Sequence, residues 1–285
     1  MARAMRSITL GCAQFGKGYG FYVNTPEMSS GEIAQILDLA FDDGVETLDL
    51  AQGYEGVIKN LSEIGLDNRF KLGTKVKYGN SNAESLSKAL TSDLKALNAN
   101  QFESILIHDW SDLTSSQRDS GLSFLAELKK LGVAKFIGIS VYEKSELLEI
   151  NQEIEIVQAP LNYFYTEFLF DKEARNLAKN GVAFHARSIF HQGTLLNTKT
   201  LPSNFKTEIK NYEEYCKEHG LTSLQGALSI FDSQDLFKNL VIGVSNANQL
   251  GEIIQSPVTS INSMLDEVPT GLPKQLIDPR LWTTK

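Results

Sequence analysis

Eight short apolar runs, separated by longer amphipathic stretches, constrain the fold of this 285-residue chain more than any other feature. Continuous apolar runs of this length are typical of parallel strands that are buried on both faces. The predicted strands are Ile8–Ala13, Val45–Ala51, Phe70–Val76, Ser104–His108, Phe136–Val141, Ile154–Leu161, Val182–Ala186 and Leu240–Val244. Their alternation with helices predicts an α/β fold, a single (β/α)8 TIM barrel in which residues 1–285 form one domain, and leaves a doubly wound open sheet as the competing fold.

The stretches between the strands carry helix signals. Ser29 and Glu32 have the spacing of a capping box, and Gly44 follows the helix that they predict. Ser81 and Glu84 repeat the capping spacing ahead of a stripe of leucines. Because no stretch rich in Pro, Gly or Ser interrupts the alternation, the sequence favours one domain over two.

Composition and charge exclude several classes of partner. The net charge is −8, so we expect neither a basic face for nucleic acid nor attraction to an anionic membrane. The sequence has no run of 18 apolar residues and no secretory signal, which predicts a cytoplasmic protein without a membrane span. Cys12 and Cys216 lie far apart without a CxxC pair, which predicts two reduced thiols and no metal site. The oligomeric state is not predicted.

Polar side chains recur at the carboxyl ends of the predicted strands, where barrel enzymes place their active sites. They are Asp49, Lys75, His108, Ser140, Gln158, Asn162, Arg187, Ser188 and Ser245. A packed strand has no structural need for so many ionisable groups, because burying an unpaired charge is costly. The pattern therefore predicts an active site at this end of the barrel.

The nucleotide-binding motifs in the sequence are incomplete. Gly11–Gly18 resembles a P-loop, but Gly18 stands where a Ser or Thr would bind Mg²⁺. Tyr19–Tyr22 is not typical of a helix start, so the loop would lack the helix dipole that receives phosphates. Since no GxGxxG motif occurs either, a Rossmann dinucleotide domain is not expected. We interpret the Gly-rich stretch as the first strand–helix loop of a barrel.

Four of the strand-end residues form a set that suits carbonyl reduction. Asp49 and Lys75 end neighbouring strands, so they can form an ion pair, and an ammonium beside the Tyr54 hydroxyl would stabilise its phenolate. Tyr54 could then donate a proton to a carbonyl oxygen, and His108 could donate a hydrogen bond where negative charge develops. No side chain can supply a hydride, so a nicotinamide or a flavin must supply it.

At this point the sequence resembles the aldo-keto reductase family. Leu10–Gly16 is similar to the opening strand of that family, and the resemblance runs from about Arg6 to about Ile254. The residues that match the family's catalytic tetrad in their local context are Asp49, Tyr54, Lys75 and His108. The resemblance implies a barrel that binds NADPH, with NADH as a second possibility, without a Rossmann domain, and that acts on a small-molecule aldehyde or ketone.

The resemblance also implies cofactor contacts. Ser140 and Gln158 correspond to residues that bind the nicotinamide carboxamide, although Val141 stands where the family usually has Asn. Arg187 stands where an aromatic side chain often stacks on the nicotinamide. The other implied contacts are Ser188 and Gly193 in the phosphate-binding segment, and Gly243, Ser245, Asn248 and Gln249 at the adenosine phosphate end.

Two other functions stay open on sequence grounds. Lys75 could form a Schiff base in a lyase of the aldolase type, or the chain could be a non-catalytic subunit that senses a cofactor. We expect the substrate to be a sugar-like or another small polar carbonyl compound. Four segments would set the specificity: Gly16–Ser29, Asp109–Ser115, Leu195–Phe205 and the residues after Ser256. Candidate aromatic lining residues are Tyr78, Trp110, Phe190 and Trp282.

Overall fold

A computed structural model of the chain describes residues 6–18, 27–79, 81–150, 153–197, 205–261 and 264–282. Eight parallel strands close into a barrel in chain order: β1 (Ile8–Gly11), β2 (Thr47–Asp49), β3 (Lys71–Val76), β4 (Phe102–Ile107), β5 (Ala134–Ser140), β6 (Ile156–Pro160), β7 (Ala183–Arg187) and β8 (Phe237–Gly243). Each predicted strand overlaps one of these. The predicted (β/α)8 barrel is therefore confirmed, and the competing open sheet is wrong. Parts of three predicted specificity segments lie outside the described ranges, namely residues 19–26, 198–204, 262–263 and 283–285.

The register of the barrel brings the polar strand ends to one rim. Asp49 at the end of β2 pairs with Gly73 in β3, and Ser140 at the end of β5 pairs with Gln158 in β6. Most strand residues are buried, as Leu48 in β2 illustrates. Because all strands run in the same direction, their carboxyl ends deliver these polar groups to the same mouth of the barrel.

Helices surround the barrel, and two short ones follow near the end of the chain. They are α1 (Ser30–Asp42), α2 (Val57–Ile64), α3 (Ala83–Ala96), α4 (Ser115–Lys130), α5 (Lys172–Lys179), α6 (Lys206–Glu218), α7 (Ser223–Asp232), α8 (Ala247–Gln255), α9 (Met264–Glu267) and α10 (Lys274–Ile277). Between β5 and β6 the chain forms a 3-10 helix instead of an α-helix. The helix α5 lies between β6 and β7, and both α6 and α7 lie between β7 and β8. Within the described ranges, no helix combines the length and the apolar character that crossing a membrane requires.

One predicted helix cap is confirmed and another is shifted by a residue. Ser29 and Glu32 form the expected capping box at the start of α1. At α3, however, the cap is Asn82, whose side-chain oxygen accepts the N–H of Glu84, and the predicted cap Ser81 lies one residue outside. Asn82 has the extended backbone that an N-cap requires, with φ of −85° and ψ of 132°.

The amino end of the barrel is held by a buried ion pair. The guanidinium of Arg6 binds both carboxylate oxygens of Asp232 at 2.6–2.7 Å and also donates to the carbonyl oxygens of Ser256 and Pro257. Both side chains of the pair are at most 4% exposed. The pair thus joins Arg6, two residues before β1, to the end of α7 and to the segment that follows α8.

The segment after α8 returns to the opposite end, the mouth of the barrel. Lys274 at the start of α10 forms an ion pair with Glu143, 2.6 Å apart, in the loop after β5. A 3-10 turn at Pro279–Leu281 follows, and the ring of Trp282 contacts the buried ring of His191 edge-on at 4.9 Å. This segment therefore forms a wall over the carboxyl ends of the strands.

Candidate active site

A cavity of about 640 Å³ opens at the carboxyl ends of the strands. Most of the predicted site residues line it: Asp49, Tyr54, Lys75, His108, Gln158, Arg187, Ser188, Gly193, Gly243, Ser245 and Gln249. Two predicted contacts do not line this cavity. Ser140 is buried beneath the rim, and Asn248 is exposed on α8. The cavity has the size and the mixed polar and apolar lining of a small-molecule site.

A buried ion pair forms the floor of the cavity. Lys75 is 2% exposed, and its Nζ donates a hydrogen bond to Oδ2 of Asp49. Gln158 donates from Nε2 to the other carboxylate oxygen of Asp49 at 3.3 Å. An isolated ammonium at this depth would be strongly destabilising, so Asp49 is what allows Lys75 to remain charged inside the barrel. The positive charge is thereby fixed at one place in the cavity.

Tyr54 lies above this ion pair, in the loop between β2 and α2. Its backbone N–H donates to the carbonyl oxygen of Ala51, and Gly56 has a φ of 83°, so the chain turns sharply on both sides of the phenol. Nζ of Lys75 is 5.7 Å from the centroid of the Tyr54 ring. The loop therefore places a phenol next to a fixed ammonium.

His108 completes the group on the side of β4. Its ring meets the Tyr54 ring edge-on, with the centroids 6.3 Å apart and an angle of 87° between the planes. Burial, together with the smaller effects of the nearby charges of Lys75, Arg187 and Lys77, lowers the pKa of His108 from 6.5 to about 3. The imidazole is therefore neutral near pH 7, and a neutral imidazole carries one hydrogen-bond donor.

Arg187, at the end of β7, lies on the other side of the cavity. Its Nη2 donates to the carbonyl oxygen of Val141 at 2.8 Å, and its Nη1 donates to Oγ of Ser188 at 3.2 Å. Its guanidinium carbon is 4.0 Å from the centroid of the Tyr142 ring, and that of Arg280 is 3.3 Å from the same centroid. Sequence reasoning missed both Tyr142 and Arg280, because no local pattern marks either residue.

The loop after β7 has an unusual backbone. Ser188, His191 and Gln192 all have a positive φ, between 47° and 61°, and Gly193 follows with a φ of 81°. A non-glycine residue in this conformation is destabilised by roughly 1–2 kcal/mol. Such backbone strain concentrates at functional sites, where the surrounding structure maintains it. Here it shapes the part of the loop that lines the cavity at Ser188 and Gly193.

The segment after β8 satisfies its polar groups internally. The side-chain oxygen of Gln249 accepts the N–H of Ser245, and the side-chain oxygen of Asn246 accepts the N–H of Gln249. Gly243 is required by close packing, because a Cβ at this position would lie 2.3 Å from Oε1 of Gln14. Gln14, another lining residue that sequence reasoning missed, follows β1 and closes this side of the cavity.

Two of the four candidate aromatic residues line the cavity, namely Phe190 and Trp282. Trp110 is instead fully buried and donates from Nε1 to the carbonyl oxygen of Glu146, whereas Tyr78 packs against Phe124. Cys12 and Cys216 are free thiols, as predicted. In the described part of the chain, His, Cys, Asp and Glu side chains form no cluster that could hold a metal ion.

Comparison with known proteins gives the context of this site. The model of the Aldo/keto reductase family matches residues 7–264. No curated protein sequence matches significantly.

Among solved structures, the aldo-keto reductase AKR11C1 from Bacillus halodurans, in its holo form, is 17% identical, with a TM-score of 0.74 over 96% of this chain and 100% of that chain. A Pseudomonas aeruginosa protein assigned to the aldo-keto reductases is 16% identical, with a TM-score of 0.65 over 90% of this chain and 92% of that chain. At these identities the two structures establish a shared fold alone. Because the family model spans most of the sequence, the chain belongs to the aldo/keto reductase family, whose fold and chemistry are those of carbonyl-reducing oxidoreductases.

Proposed function

We propose that this protein is an NAD(P)H-dependent reductase that converts an aldehyde or a ketone to an alcohol, with Tyr54 as the proton donor. One observation carries the proposal. The Tyr54 ring lies next to the buried Lys75–Asp49 pair and meets His108 edge-on, at one end of a cavity of suitable size. Reduction of a carbonyl adds a hydride to carbon and a proton to oxygen, and this group of residues serves the oxygen.

Each of the four residues has a separate task in this proposal. Tyr54 donates its hydroxyl proton to the carbonyl oxygen, and the ammonium of Lys75 stabilises the phenolate that remains. Asp49 holds Lys75 in place through their hydrogen bond. His108, neutral at physiological pH, donates a hydrogen bond to the oxygen as negative charge develops there.

The remaining lining residues suit a nicotinamide nucleotide, which would supply the hydride when bound. Gln158 faces the cavity, and its register partner Ser140 has a buried hydroxyl without a hydrogen-bond partner in the described ranges. Such a group is costly unless it is satisfied, and a carboxamide offers both a donor and an acceptor. Ser188 and Gly193 would hold the middle of the cofactor, and Arg187 would lie beside the nicotinamide. Gly243, Ser245 and Gln249 would hold its adenosine end, together with Asn248 on the exposed side of α8. We infer NADPH as the cofactor, with NADH accepted as well.

The lyase alternative is weaker because of how Lys75 is held. A Schiff-base lysine must attack a carbonyl as a neutral amine. Nζ of Lys75 is instead engaged with the carboxylate of Asp49 and is 2% exposed. That arrangement favours the charged ammonium, which has no lone pair for nucleophilic attack.

The test is a turnover assay on the purified protein with NADPH or NADH and a panel of aldehydes and ketones. We expect oxidation of the reduced cofactor in step with formation of the alcohol. Tight cofactor binding without turnover across the panel would instead support a cofactor-sensing subunit. The lyase would be supported if borohydride trapped a carbonyl compound on Lys75 and the protein cleaved a carbon–carbon bond of that compound without a cofactor.

A further inference from the structure

The cations that line the cavity are not all neutralised. Lys75 pairs with Asp49, and Arg280 pairs with Asp278 at 2.7 Å. Arg187 has no carboxylate within 4 Å in the part of the chain that the structure describes, although it lines the same cavity. The cavity thus has an excess positive charge in a chain whose net charge is −8. A buried or half-buried charge of this kind requires a compensating group.

The guanidinium of Arg187 also has hydrogen-bonding capacity to spare. An arginine carries five N–H donors, and here one goes to the carbonyl oxygen of Val141 and one to Oγ of Ser188. The remaining donors have no protein acceptor among the described residues. Contact with the Tyr142 ring holds the guanidinium in one orientation. A fixed guanidinium with free donors matches the geometry of an oxyanion such as a carboxylate or a phosphate.

The position of Arg187 favours an anion on the substrate over the phosphates of the cofactor. In the barrel, β7 lies between β6 and β8, and Arg187 reaches past β6 to the carbonyl oxygen of Val141 after β5. The guanidinium is therefore turned away from the segment after β8, where Ser245 and Gln249 lie. It lies on the side of His108, whose pKa its charge helps to lower. That is the side where the reacting carbonyl would bind.

We propose that the substrate is an aldehyde or ketone that bears a carboxylate or a phosphate group, and that Arg187 binds this group. The proposal rests on the proposed function above and narrows its substrate class. Arg280, which contacts the same Tyr142 ring, provides a second and more exposed cation at the mouth of the cavity. The two cations would therefore attract a negatively charged substrate to the cavity as well as bind it there.

The experiment compares matched pairs of substrates that differ in charge. One pair is 4-carboxybenzaldehyde and methyl 4-formylbenzoate, and the other is glyceraldehyde 3-phosphate and glyceraldehyde. We expect the wild type to favour the charged member of at least one pair by roughly 10- to 100-fold in kcat/KM, and the pair that responds identifies the oxyanion. Arg187→Met should remove most of that preference. Because both members of a pair use the same cofactor, an effect on cofactor binding cancels in the ratio.

Two further variants sharpen the test. Arg187→Lys keeps the charge but loses the planar fork, so it should retain part of the preference. Arg175→Met removes an arginine whose partner, Asp235, lies outside the cavity, and it should keep the wild-type ratio.

If the wild type reduces both members of each pair equally well, or if Arg187→Met retains the full preference, the inference is wrong while the proposed function stands. If the wild type reduces no carbonyl compound at all, the proposed function is wrong and the inference is wrong with it.

Discussion

The two ends of the barrel each contain a buried ion pair, but the two pairs are built differently. At the amino end, Arg6 and Asp232 form two hydrogen bonds with each other, and backbone groups take up much of their remaining capacity. At the mouth, Lys75 makes its hydrogen bond to Asp49 and has the Tyr54 ring beside it. Arg6 also borders a smaller cavity of about 170 Å³, but protein groups complete the hydrogen bonds of its pair. The second pair instead forms the floor of the large cavity at the mouth.

This difference shows how the same chemistry serves two purposes. A pair whose hydrogen bonds are completed by the protein fixes the chain and leaves no charge for a ligand. A pair that faces a cavity keeps part of its electric field directed at whatever binds there. Burial alone therefore does not mark a functional charge. A functional charge is instead identified by whether the other hydrogen-bonding groups of the pair are bound by protein or face a cavity.

The largest expected effect tests the structural pair. Arg6→Met leaves the carboxylate of Asp232 buried without its cation, and the free energy of unfolding should fall by about 3–5 kcal/mol. Activity per folded molecule should be unchanged, because Arg6 is remote from the mouth. Urea unfolding and a turnover assay on the same preparation measure both quantities.

The control for this prediction is Arg175→Met, which breaks an exposed arginine–aspartate pair and should reduce stability by at most about 1 kcal/mol. If both variants lost the same free energy of unfolding, burial of the Arg6–Asp232 pair would make no additional contribution to stability.

The second prediction tests the Lys75–Asp49 pair at the mouth through Tyr54, whose ring lies beside it. Tyr54→Phe removes the proposed proton donor, and the chemical step should slow by roughly 100-fold or more, about 2.7 kcal/mol, while cofactor affinity stays nearly the same. Single-turnover kinetics and a cofactor titration separate the two. Tyr78→Phe is the matched control, since Tyr78 packs against Phe124 outside the cavity. Near-normal turnover by Tyr54→Phe would remove this residue from the mechanism.

The third prediction concerns pH and His108. Burial makes its pKa lower in the folded chain, about 3, than the ordinary value of 6.5. Between these pH values the unfolded chain binds the additional proton, so stability falls as the pH falls. His108→Gln should therefore lose about 1.5 kcal/mol less than the wild type between pH 6.5 and pH 5. Unfolding by urea at each pH provides the measurement, and parallel losses in both proteins would contradict the burial of a neutral His108.

The smallest expected effect concerns the choice between NADPH and NADH at the segment after β8. Neither a structural ion pair nor a cavity-facing ion pair occurs in this segment. Ser245, Asn246 and Gln249 bind one another, and no cation occurs from Ser245 to Gln249 to select the 2′-phosphate of NADPH. We expect NADPH to bind only about tenfold more tightly than NADH, about 1.4 kcal/mol. Fluorescence titration with both cofactors at one ionic strength measures this ratio. A preference of about a thousandfold would show that a cation from another segment reaches the phosphate.

Much of the fold and part of the site could be predicted from sequence because the signals are local. An apolar run identifies a buried strand, and a polar residue at its end lies at the rim of any parallel barrel. This is why the sequence alone could place Asp49, Lys75 and His108 at one end. Tyr54 followed from its short distance in sequence from Asp49.

The features that sequence reasoning missed depend on contacts between distant segments. Tyr142 follows β5, Arg187 ends β7 and Arg280 follows α10, so only the closed barrel shows that both arginines contact one ring. The prediction of the N-cap of α3 was wrong for another reason. Ser81 and Asn82 are both good capping residues, and only the backbone conformation decides between them.

The wall formed by α10 and the turn after it has a consequence for how the protein is made. Its contacts reach back to Glu143 and His191, so they link residues that are far apart in sequence. During synthesis the strands of the barrel leave the ribosome before this segment does. The barrel can therefore close around an open mouth, and the binding cavity acquires its last side only when the final residues of the wall have emerged and docked.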